Sequence, residues 1–160
     1  MKNIFWWILA IGFLIVLVFF LLNQQNNSEI NSQVKNLPTD KIQYVKIAGV
    51  TLKIDLALTP EAREKGLSGR KELKNDEGML FVFNHMDKYP FWMKDMNFPI
   101  DIIWIGEDYR VVYIKKNASP ESYPETFVST QNARYVLEVI SGFSEKNNLK
   151  EGDEVEFLLS

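Results

Sequence analysis

The chain has 160 residues, with 18 Lys and Arg against 21 Asp and Glu, a formal net charge of −3 and no basic stripe. That balance speaks against nucleic acid as a partner, because phosphate recognition needs clustered positive charge. No cysteine is present, which excludes disulfides, thiol nucleophiles, a lipid-modified cysteine and any Cys-based zinc site.

Residues 1–3 form a short polar start, and Ile4 to Leu22 then run without charge or proline. At about 1.5 Å per residue a helix of that length reaches roughly 28 Å, close to the ~30 Å hydrocarbon core of a bilayer. A buried helix of a globular core would carry a polar stripe, and this run has none. Trp6 and Trp7 lie near one end, where amphipathic rings favour the interface. No small-residue cleavage pattern follows Leu22, so the expectation is an uncleaved transmembrane anchor over 4–22. Lys2 precedes the run and no Lys or Arg follows until Lys35, which sets the amino terminus inside and the remainder outside the cytoplasm.

Residues 23–41, rich in Asn, Gln and Ser, read as a flexible linker, and 42–160 as one domain with its own core. Within it, Gln43–Ile47 and Thr51–Leu58 predict a hairpin, with Leu52, Ile54, Leu56 and Leu58 alternating against polar neighbours. Thr59-Pro60-Glu61 opens a short helix that stops at Gly66. Met79–Phe83 and Phe91–Met96 predict strands, and Ile100–Ile105 and Tyr109–Lys115 flank a Gly106-Glu107-Asp108 turn. Tyr135–Ile140 and Glu154–Leu159 follow, with a helical turn over Ser144–Asn148. The expectation is a mainly β fold, a single β-sandwich or barrel-like domain with two short helices.

The chemistry lies in charged residues set where strand pattern predicts burial. Asp101 interrupts an otherwise apolar strand, and so does Glu138 between Val136 and Ile140. A carboxylate removed from water must find a donor, protonate or lie at an open edge. Lys94 and Arg70 are the candidate cationic partners. These groups either brace the sheet and its loops, or line a pocket walled by Phe91, Trp92 and Trp104. The candidate ligand-binding set is therefore Arg70, Trp92, Lys94, Asp101 and Glu138.

The segments Gly66-Leu67-Ser68-Gly69-Arg70, Gly78-Met79-Leu80-Phe81-Val82-Phe83 and Phe91-Trp92-Met93-Lys94 occur in order. They are followed by Pro99-Ile100-Asp101-Ile102-Ile103, Tyr135-Val136-Leu137-Glu138 with Gly142, and Gly152-Asp153. This succession resembles the bacterial and archaeal family called domain of unknown function 192, over about Val45 to Phe157. The resemblance implies a compact β-rich domain, often exported or anchored, and supplies no reaction. Ser68 stands where the family usually has methionine, and Asp95-Met96 where it usually has Asn-Thr.

No serine sits in a nucleophile-elbow sequence, and His85 is the only histidine. The catalytic reading left open is an envelope carbohydrate hydrolase using Asp101 and Glu138, which requires both carboxylates to face one groove. The preferred expectation is a non-catalytic module that binds an envelope ligand or protein partner at the outer membrane face, with no cofactor and no metal.

Overall fold

The computed structural model describes residues 38–159 together with 14, 16–22 and 24. Most of the expected anchor and linker lies outside the described residues. Residues 16–22 are helical, and no described helix is long and apolar enough to cross a membrane. The chain divides into two compact units, 1–37 and 38–160.

The second unit holds nine strands: β1 (Ile42–Ile47), β2 (Val50–Ala57), β3 (Glu77–Asp87), β4 (Phe91–Trp92), β5 (Ile100–Ile105), β6 (Val111–Ala118), β7 (Thr126–Phe127), β8 (Ala133–Ile140) and β9 (Val155–Leu159). Two short helices, α1 (Pro60–Lys65) and α2 (Phe143–Lys146), connect them, with 3-10 turns at Thr39–Lys41 and Pro120–Ser122. The first of these turns leads directly into β1, so the last residues of the segment expected as linker form a 3-10 turn. Seven strands form one mixed sheet in the order β6-β5-β8-β3-β2-β1-β9, and β4 and β7 form a separate ribbon.

Local chemistry accounts for the connections. The β1–β2 hairpin turns through Ala48 (φ 50°) and Gly49 (φ 75°), the two positive φ values of a tight type I′ link. Among the described residues only β2 and β3 pair in parallel, and a parallel pair needs a crossover, which α1 and the following loop provide. The Thr59 side chain accepts from Ala62 N at 3.2 Å and Pro60 takes the first helical turn.

The two outer strands of the sheet meet. Arg110 and Glu154 form a bridge, Val111 N donates to Asp153 O at 2.9 Å, and Val155 N donates to Tyr109 O at 2.8 Å. The sheet thus folds back on itself in a barrel-like closure that leaves few unpaired edges. Its inner face buries Val45, Leu52, Ile54, Leu80, Leu137, Val139, Ile103 and Ile105. Gly78 keeps this interior open: a Cβ there would stand 3.0 Å from Glu138 O and 3.3 Å from Leu137 Cδ1.

A second core lies on the outer face of β2, β3, β8 and β5. Ala57, Phe81, Val136 and Trp104 form one cross-strand row there. Leu67, Leu73, Phe91, Met93 and Phe127 cover it from the loops and the β4–β7 ribbon. Two cores explain why β5 is buried along its whole length. Phe91 and Met93 belong to this covering layer, but the strand expected over Phe91–Met96 is confined to Phe91–Trp92. Asp95 has φ 56°, which no extended strand accommodates. The β5–β6 turn likewise takes in Tyr109 (φ 58°), so β6 begins at Val111.

Candidate functional site

Register places one row of residues across the outer face: Asp55 beside Met79, Met79 beside Glu138, Glu138 beside Ile102. Glu138 therefore projects into the layer between the sheet and its covering loops. It forms the floor of a cleft of about 190 Å³. Phe81, Phe91, Trp92, Pro90 and Met96 supply apolar walls; Gly66, Leu67 and Ser68 and the α1 residues Arg63, Glu64 and Lys65 complete the lining. Gly66 ends α1 at φ 49°, and a Cβ there would sit 3.3 Å from the Phe81 ring. The glycine both stops the helix and keeps the wall at Phe81 clear.

Glu138 is 4% exposed, and its Oε2 has no hydrogen-bond partner among the described residues. Burial pushes its carboxyl up to about 8, and the Arg70 guanidinium pulls it only partly back. The side chain is thus largely a neutral acid at neutral pH. Arg70 does not close onto it. Its Nη2 pairs with Asp55 Oδ2 at 2.7 Å, two strands away along the same row, and its carbonyl accepts from Asn97 Nδ2 at 2.8 Å.

Trp92 is 42% exposed and forms a rim shared with a second hollow of about 350 Å³. Lys94, Asp95 and Glu61 line that hollow, which also shares Glu64, Lys65 and Ser68 with the cleft. The Ser68 hydroxyl donates to Lys94 O at 2.8 Å, and Gly69 N donates to Asp95 O at 2.8 Å. These bonds clamp the two loops together and occupy the cleft's one hydroxyl. Trp104, expected as a wall, lies buried behind Phe91 with ring centroids 5.7 Å apart, and its indole N–H donates to Tyr89 O at 3.1 Å.

Asp101 lies elsewhere. Its Cα pairs with Val139 and that of Ile102 with Glu138, so strand alternation turns Asp101 to the inner face. Its Oδ1 accepts from Asn117 N at 2.9 Å and Gly142 N at 3.3 Å, and its Oδ2 accepts from Ser144 N at 2.8 Å. Asp101 is a satisfied structural carboxylate that holds the start of α2 and the end of β6. Asp101 and Glu138 do not face one groove, and the arrangement that paired-carboxylate hydrolysis requires is not there. No group of three or more His, Cys, Asp and Glu suited to a metal occurs among the described residues.

Of the five residues singled out from sequence, Glu138 and Trp92 share the cleft and Lys94 borders it. Arg70 acts on its floor from a distance, and Asp101 belongs to the opposite face. Sequence reasoning missed the wall built by α1, Gly66, Phe81 and Pro90. The helix stop at Gly66 was a visible signal, but its approach to Phe81 depends on the crossover.

The DUF192 family, described as an uncharacterised ACR family, matches residues 43–157. A protein of unknown function from Novosphingobium aromaticivorans DSM 12444 is similar in structure, at 35% identity over 72% of this chain and 85% of that chain, with a TM-score of 0.69. A protein described as a candidate transcription regulator from Sinorhizobium meliloti 1021 is similar at 33% identity, over 71% of this chain and 92% of that chain, with a TM-score of 0.67. The match takes up nearly all of that chain, which is therefore little longer than this domain. No curated protein matches.

Proposed function

We propose, on the premise that the chain belongs to the DUF192 family, that residues 38–160 are a non-catalytic ligand-binding module held at the outer face of a cell membrane by the apolar run Ile4–Leu22. The observation that carries the binding reading is the Glu138 carboxyl, buried on the floor of an open aromatic-walled cleft with Oε2 unpartnered. An unsatisfied buried acceptor costs about 1–3 kcal/mol, and a fold keeps that cost where a ligand removes it. Clefts of this make, largely apolar with one converging polar group, are the usual form of small-ligand sites.

Binding is favoured over catalysis because the cleft holds no nucleophile aligned with a base. The Ser68 hydroxyl is spent on Lys94 O, and Glu64 and Glu138 flank no histidine in the lining. The anchored, outward placement rests on the length and purity of the apolar run and on Lys2 before it.

The test is retention of small molecules from an envelope extract by residues 38–160, read by mass spectrometry beside a Glu138→Gln variant. A species held by the parent and lost by the variant is the expected result. Identical retention profiles would remove Glu138 from any binding role.

A further inference from the structure

We infer that the ligand of this cleft is a compact organic cation of the alkylammonium kind, its N–H groups on the Glu138 carboxyl and its carbon body against Phe81, Phe91 and Trp92. The inference rests on the binding reading above and names the ligand's chemistry.

The donor that Glu138 Oε2 lacks is not supplied by the cations nearest it: Arg63 and Lys65 also line the cleft, and neither bonds that oxygen. Arg70 is paired with Asp55 at 2.7 Å. Arg63 donates through Nη1 to Leu58 O at 2.6 Å and Val82 O at 3.1 Å, and its guanidinium lies 5.1 Å from the Phe83 ring centre. Lys65 and Lys94 line the outer hollow together with Glu61, Glu64 and Asp95, where acids outnumber bases.

The remaining alternatives fail on chemistry. An anion would find Arg63 already engaged with Leu58 O and Val82 O and Lys65 balanced by Glu64 on the wall, and it would meet aromatic rings whose electron-rich faces repel it. A purely apolar guest would fill the space and leave Oε2 unsatisfied. A quaternary ammonium would suit the rings but carries no N–H for the carboxyl. An ammonium bearing N–H groups meets both requirements, since aromatic rings attract desolvated cations and a charge-assisted hydrogen bond is the strongest kind available. Its arrival favours the ionised form of Glu138 that burial disfavours in the empty cleft. The volume of about 190 Å³, below the roughly 300–1,000 Å³ of sites for whole drug-sized molecules, suits an amine head group or a short alkylamine.

Residues 38–160 contain Trp92 and Trp104 as their tryptophans, which gives a direct readout. The Trp92 indole N–H reports on the cleft rim, and that of Trp104, buried and bonded to Tyr89 O, reports on the fold. The experiment is NMR titration of these two signals with n-butylammonium, 1-butanol and butyrate near neutral pH. Butylammonium is expected to shift Trp92 saturably at a concentration roughly ten-fold lower than 1-butanol, with no response to butyrate. In Glu138→Gln, with the Trp104 signal in place, that advantage should disappear. If 1-butanol or butyrate binds the parent as tightly as butylammonium, the ligand class is wrong and the cleft reading stands. If none of the three moves Trp92, both are overturned.

Discussion

Asp101 and Glu138 stand on neighbouring strands of one sheet, both buried, and their surroundings differ in kind. Asp101 receives three backbone N–H groups, so both of its buried oxygens are satisfied within the protein. Glu138 receives none at Oε2 and titrates near 8 against an ordinary 4.5. Its linkage to folding follows from that upward shift. The folded state holds a proton that the unfolded chain has released, so the contribution to stability is full below about 4.5 and is lost as pH rises toward about 8. At about 1.4 kcal/mol per pKa unit, the ionised carboxylate burdens the fold by several kcal/mol above that range. Both residues stood out in the sequence as lone charges in apolar alternation. Their partners did not, because Asp101 is satisfied by turns that β5 meets only in the folded chain.

Those turns give Asp101 its role among the elements. α2 begins at Gly142 without a side-chain cap of its own, and the carboxylate of β5 substitutes for one from 43 positions away. The same side chain receives Asn117 N at the end of β6. Asp101→Ala removes a charged acceptor from all three donors and leaves buried N–H groups behind. It should lower the unfolding free energy by about 3 kcal/mol in urea denaturation; a change within about 0.5 kcal/mol would show that water replaces the carboxylate at no cost. The elements most legible in sequence were those set by local chemistry: the β1–β2 hairpin, the Thr59-Pro60 start of α1, and the apolar strands β5 and β8. The β4–β7 ribbon pairs only Phe91 with Phe127 and Trp92 with Thr126, too short for a periodic signal. Met93 and Met96 extend its apolar look while Asp95 breaks its backbone. The parallel pairing of β2 with β3 is also non-local, set by a crossover and not by either strand's pattern.

Over the whole molecule, the sequence showed a long apolar segment, a polar stretch and a β-rich domain. It could not show that the sheet's outer strands meet at Arg110 and Glu154. Nor could it show that α1, the Pro90–Trp92 segment and β8 converge on one cleft. The apolar segment has its own test: full-length chain should sediment with membranes and leave them only in detergent, as expected of about 20 uninterrupted apolar residues. Recovery in the aqueous fraction would contradict the tether while leaving the cleft intact.

The fold keeps one carboxyl oxygen, Glu138 Oε2, without a partner among the described residues at the base of an open cleft. Denaturation midpoints of residues 38–160, parent against Glu138→Gln, from about pH 5 to about pH 9, test it most directly. The variant should gain stability over the parent as pH rises through neutrality, and the gap should level off only above about 8, once Glu138 is mostly ionised. Parallel profiles across the range would mean that Glu138 is already satisfied, and the ligand-binding reading would fall with it.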